Sequence, residues 1–414
     1  LRSGGSLLDL SAGATLSIGG PVLSLDSTQA PQFSSRTITL GENVLNLDGV
    51  TVNGHSAGGP LGGTGLIDVN QGNSGTSTLN VTSGLVDIHT NATLNLTTRG
   101  VRNLGGTINA FETFGVDGTL TMGPNALVDV GSGGQMVIFG NLLTVTGTGS
   151  LTSNGGALLF LSGEGSVVLA GGDLFNLSGT VSIAGTPLAT IMNGGSMALG
   201  GAALRLTNTT LNLGTQPVLF MQDGNLIKTV SGPLFQLTNS TLTADTLITS
   251  NNQSELSIFI TKGPFLEATG STLTLRTLSD EQGLLDNFTV SLAANEPLIR
   301  LTNSTLTTTR AANDGINFGG SAPNNILQTG VALIATNSTF TQSDAAFLDL
   351  ESFTFLDPNP QVQLNESSLR LGTGDAFRVL PGFSAVAGAL LSTSDSTITA
   401  GNLLHAVPNA TLAY

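Results

Sequence analysis

The sequence predicts an all-β chain wound as a single elongated parallel β-solenoid, with about 30 residues per coil built from two units of about 15 residues. Three observations carry that expectation. A pentad of alternating residues returns at a nearly constant interval, a T-N-S-T-L motif returns at twice that interval, and the composition is rich in turn formers and poor in charge.

The pentads are ALVDV (126–130), NLLTV (141–145), ALLFL (157–161), DLFNL (173–177), PLATI (187–191), AALRL (202–206), PVLFM (217–221) and PLFQL (233–237), which start 14–16 residues apart. Each is followed by a small or polar turn and usually by a second alternating run, such as SVVLA (166–170) or TLNLG (210–214). Runs this short, with period two and many Thr, Val, Ile and Leu residues, are strands rather than helices. The 55 glycines among 414 residues recur too often for helix interiors. Disorder is set aside because hydrophobic residues make up 39% of the chain and are patterned.

The longer repeat fixes the size of a coil. TNTTL (207–211), TNSTL (238–242), TGSTL (269–273), TNSTL (302–306) and TNSTF (336–340) begin 31, 31, 33 and 34 residues apart. Asparagine tolerates the left-handed backbone that a tight corner needs, and glycine tolerates it at no cost. Asn208, Asn239, Gly270, Asn303 and Asn337 are therefore expected to form a turn ladder, with amides bonded from coil to coil. Side chains alternate faces along a strand. Leu206, Leu211, Leu237, Leu242, Leu273, Leu301 and Leu306 are thus expected inside. Thr241, Thr243, Thr272, Thr274, Thr305, Thr307, Thr339 and Thr341 are expected outside, as a double threonine ladder.

The chain reads as one continuous solenoid over residues 1–414. Residues 1–125 are less regular, with extruded loops expected at 26–36 and 53–64. Residues 126–414 are regular, with an extruded loop at 310–330. These segments are too polar or too rich in Gly and Pro for coil walls.

Composition limits the chemistry. Twelve basic against 27 acidic residues give a net charge of −15, which repels nucleic acid. Polar residues interrupt every apolar stretch, so no membrane span is expected. There is no cysteine for a disulfide or a thiolate metal site. His55, His89 and His405 are scattered and form no ligand set, so neither a metal nor a cofactor is expected. No nucleophile elbow or phosphate loop occurs. Asp9, Asp68, Asp87, Asp129 and Asp349 stand singly in LLDL, LIDV, LVDI, LVDV and FLDL, which reads as a solvated outward row without a catalytic pair. No catalytic residue, and no enzyme, is expected.

The PLxxLTNSTLT-like coils, over about residues 120–414 and without cysteine, resemble the repetitive shafts of secreted bacterial β-solenoids of the filamentous-haemagglutinin-like, adhesin type. The resemblance implies a right-handed parallel β-helix, export to the bacterial cell surface, and a structural or adhesive role. It carries over no functional residue. Both SLLDLSAGATLSIGG (6–20) and NLLHAVPNATLAY (402–414) keep the interior pattern. The expected partner is accordingly another copy of the chain, stacked through the terminal coils into a filament. A carbohydrate-binding or carbohydrate-cleaving β-helix and an ice-binding threonine ladder are the alternatives.

Overall fold

In the computed structural model the chain is all-β, with no helix among the described residues, and winds as a parallel β-solenoid of about 31 residues per turn. The structure describes residues 2–11, 13, 15–26, 36–54, 65–70, 76–250, 258–277, 288–309, 316–318, 330–342, 346–350 and 354–413. Contacts divide the chain into two units, Leu1–Leu213 with Leu219–Leu226, and Gly214–Val218 with Ile227–Tyr414. Each is a stack of coils.

One turn of the first unit runs through four strands: Glu112–Val116, Thr119–Met122, Val128–Gly131 and Gln135–Ile138. The next strand, Leu143–Val145, lies in register on the first, with Phe114 beside Leu143 and Val116 beside Val145. In the second unit a turn runs through Val362–Asn365, Ser368–Arg370, Phe377–Val379 and Gly382–Val386 before Leu391–Ser394 pairs with Val362–Asn365. The paired strands are parallel, with one isolated antiparallel bridge between Asn70 and Gly105. The pentads at 126–130 and 141–145 fall on opposite sides of a coil. That is why the sequence repeats twice per turn.

Alternation decides what enters the core. Thr241–Ala244 alternates half-buried and buried positions, and Leu242 stacks between turns on Leu273, which stacks on Leu306. Leu206, Leu211, Leu237, Leu242, Leu273, Leu301 and Leu306 are all fully buried. Aromatic rings fill the wider levels: Phe235 and Phe265 meet edge to face with centroids 5.2 Å apart, the favoured geometry for such pairs. Lys228 is also buried, and its ammonium is accommodated because it donates to the carbonyls of Val230, Gly232 and Lys262.

The irregular segments differ in part from expectation. Residues 27–35, 55–64, 310–315 and 319–329 lie outside the described residues. Asn53 and Gly54, however, belong to the strand Thr51–Gly54. Ile316–Phe318, inside the expected loop at 310–330, is a strand paired with Leu348–Leu350. Its Ile-Asn-Phe alternation is a strand signal that the surrounding Gly and Asn residues concealed.

The nearest-neighbour stacking makes a core prediction. Leu273→Ala is expected to cost about 2–5 kcal/mol by leaving a cavity between two levels, whereas Thr274→Ala on the same strand should stay within about 0.5 kcal/mol. Urea unfolding followed by circular dichroism measures both.

Candidate functional site

The chemistry-bearing side chains form rows that run across the coils, because each residue in a strand sits beside its counterpart one turn away.

The turn ladder comes first. Asn208, Asn239, Asn303 and Asn337 have φ of 53°, 48°, 51° and 47°, and Gly270 has φ of 61°. Asn337 Nδ2 donates to Asn303 Oδ1 at 2.8 Å. At Gly270 the ladder changes, because a Cβ there would lie 2.4 Å from Asn239 Oδ1. Glu366 and Asp395 take the same backbone at 49° and 48° in the following coils.

A second row was not foreseen. Behind the turn residue, Ser240, Ser271, Ser304, Ser338 and Ser367 are all buried. The N–H of Ser240 donates to Ser271 Oγ at 3.0 Å, that of Ser271 to Ser304 Oγ at 3.0 Å, and that of Ser304 to Ser338 Oγ at 3.0 Å. Ser338 and Ser367 continue it to Ser367 and Ser396. Each hydroxyl from Ser240 to Ser396 also donates to the carbonyl two residues before it. The signal was present in the sequence, since the third letter of T-N-S-T-L is serine in successive motifs. Turn propensity alone does not say that this hydroxyl points inward. Ser304→Ala should cost about 1–3 kcal/mol, since it strands the buried N–H of Ser271; Thr305→Ala beside it is the control.

The threonines form the expected outward rows on one sheet. Thr241 and Thr243 register with Thr272 and Thr274, these with Thr305 and Thr307, and these with Thr339 and Thr341. The next level replaces the pair by Ser368 and Arg370.

The aspartates of the LxDx strings correct the sequence expectation. Asp9 is exposed, but Asp68, Asp129 and Asp349 are 2%, 9% and 0% exposed. They point outward from their strands and are covered by arginines about one turn away: Arg102 on Asp68 at 3.7 Å, Arg99 on Asp129 at 2.5 Å, and Arg378 on Asp349. Asp173 is held likewise by Arg205, and Asp245 by Arg276. Such partners are some 30 residues distant in sequence, so no local pattern reveals them.

One face carries acids without such partners. On the sheet of Gly84–Ile88 and Glu112–Val116, Asp87 accepts from Asn43 Nδ2 at 2.7 Å, and Glu112 accepts from Thr144 Oγ1. Asp117 accepts from Thr146 Oγ1 at 2.5 Å. His89 Nε2 lies 2.8 Å from Asn46 Oδ1, and Asn46 donates to Asp9. Asp9, Asn46, Asp48, His89 and Thr90 line a shallow polar depression beside this group. A Cβ on Gly115 would lie 2.6 Å from Asp87 Oδ1 and 3.2 Å from Glu112 Oε2, which puts these oxygens within about 6 Å of each other, close enough for an acid–base pair. The sequence expectation of isolated carboxylates is thereby overturned at this face. Burial pushes Glu112 up to about 7, with Asp87 and Asp117 adding to the rise, and burial also raises Asp87. Glycosidic chemistry calls for one carboxyl raised and its partner kept ionised; here both move the same way.

The folded state therefore holds the Glu112 proton more tightly than the unfolded chain. Its contribution to stability is full below the ordinary glutamate pKa of 4.5 and is lost as pH rises through about 7. The unfolding midpoint is expected to fall by a few degrees between pH 5 and pH 8, and Glu112→Gln should flatten that slope; thermal unfolding across the pH range measures it. No family model matches the chain, and no curated protein or solved structure matches it significantly.

Proposed function

We propose that the chain is an extracellular structural β-solenoid without catalytic activity, part of the shaft of a bacterial surface adhesin or the subunit of a head-to-tail filament. The observation that carries this reading is the open coil at residues 391–413. Its strands Leu391–Ser394, Thr397–Thr399, Leu404–Ala406 and Ala410–Ala413 each end their sheet among the described residues. Leu369, Phe377 and Val379 are buried one level earlier, whereas their register partners Ile398, Leu404 and Ala406 are half-buried or exposed, Leu404 by 45%. Unpaired strand edges above an open apolar core are a template for a further coil. A further coil, whether from the same chain or from a second copy, extends the same stack. The uncharged Thr, Ser and Asn surface suits an external material, because few surface charges are left for salt to screen.

Analytical ultracentrifugation over a wide concentration range tests the filament reading. The 414-residue chain should grow with concentration, and Ile398→Lys with Leu404→Pro should arrest growth while circular dichroism keeps its strand signal. A chain that stays monomeric at high concentration would refute head-to-tail assembly. The in-register Thr-x-Thr rows at four successive levels favour ice binding as a second reading; thermal hysteresis, lost on replacing Thr274 and Thr307 by Lys, tests it.

A further inference from the structure

Acids on the outer faces of this protein are characteristically neutralised across levels. Asp68, Asp129, Asp173, Asp245, Glu267, Asp349 and Asp375 each have an arginine or histidine partner. Asp357 is held instead by the N–H groups of Asn295, Gly330 and Asn359. Asp87 and Glu112 depart from this rule. Their charged neighbours are each other, Asp117, and on the side of Asp87 also His89, which is engaged with Asn46.

The same place has a gap in its side-chain rows. Asn43, Asp87 and Glu112 come from three successive levels, joined by the pairs Val86 with Leu45 and Val86 with Phe114. Between them stand Gly84 and Gly115. The Cβ that Gly84 lacks would be 3.1 Å from Asp87 Oδ1 and 3.7 Å from Asn43 Oδ1, and the one that Gly115 lacks would be 2.6 Å from Asp87 Oδ1 and 3.2 Å from Glu112 Oε2. Three oxygens thus converge on the space that two missing side chains leave. Asn43 is 8% exposed, and its Oδ1 is a buried acceptor with no donor. Its amide nitrogen is already committed to Asp87, so the oxygen is the atom turned toward the gap.

A site made only of acceptors, two of them anionic, asks for a positive occupant that brings no lone pairs of its own. A hard cation meets that description, since calcium takes carboxylate and amide oxygens with water completing its shell. We propose that Asn43, Asp87 and Glu112 bind a divalent cation of the calcium type, which pins three successive levels of the first unit together. The levels concerned are widely spaced in sequence, Asn46 and Asp9 being 37 residues apart and Asp87 and Asn43 being 44 apart. A cation there supplies the cross-level attraction that arginines supply elsewhere. Protons compete for the same oxygens, because metal ligands must be deprotonated.

Thermal unfolding and isothermal titration of the full chain with calcium chloride test this, at pH 8 and with sodium chloride of equal ionic strength as reference. Calcium should raise the unfolding midpoint by several degrees with a saturable heat of binding, and binding should weaken about tenfold at pH 6. Glu112→Gln, whose fold is checked by circular dichroism, should abolish both effects, while Asp9→Asn leaves them unchanged. Three results would overturn the proposal: a midpoint shift no larger than sodium chloride gives, a full calcium shift in Glu112→Gln, or loss of the shift in Asp9→Asn. The last would move the cation to the exposed depression.

Discussion

Everything regular in the second unit depends on how a coil turns the corner between two strands. At that corner one residue must adopt a left-handed backbone, and the next must bury an N–H that no strand partner receives. Asn239, Gly270, Asn303 and Asn337 take the first task. The serine that follows each takes the second, because its hydroxyl accepts the N–H from one level and donates to a carbonyl of its own level. A buried hydroxyl used in both directions leaves no slack. It ties each corner to its neighbour at one register, and register decides every other row. Leu242, Leu273 and Leu306 stack inside because the corners before them are stacked, and the threonines on either side stack outside for the same reason.

Charge obeys the same geometry. Because neighbouring levels lie about 4.8 Å apart, an acid on an outer face is never far from the side chain one turn away. Arg102 on Asp68 and Arg378 on Asp349 are consequences of that proximity, and they allow carboxylates to lose most of their exposure. Where a glycine replaces the partner, as at Gly115, the acids are left facing one another and hold protons more tightly. The face of Asp87 and Glu112 is thus the place where the stacking rule concentrates like charges instead of cancelling them.

Period, core and corners were legible in the sequence because they are local. Alternation over four residues places Leu273 inside, and an Asn before Ser-Thr-Leu marks a left-handed turn. The serine relay was half legible: the letter recurred, but its direction depends on the level below. The arginine–aspartate pairs and the Asp87–Glu112 approach were not legible at all. Asp87 and Glu112 stand 25 positions apart in a stretch whose coils are longer than the rest, and only the register of Gly84–Ile88 against Glu112–Val116 brings them together. Ile316–Phe318 shows the opposite failure, a local strand signal hidden by its neighbours.

The central claim is that successive coils stack in parallel at one register. The chain contains no cysteine, so an engineered pair reports on that directly. Thr274 and Thr307 are register partners, and parallel neighbours are close enough for a disulfide. Thr274→Cys with Thr307→Cys should cross-link within the monomer on mild oxidation, while Thr274→Cys with Leu306→Cys, one residue out of register and facing the core, should not. Equal cross-linking of both pairs, or of neither, would contradict the stacking described.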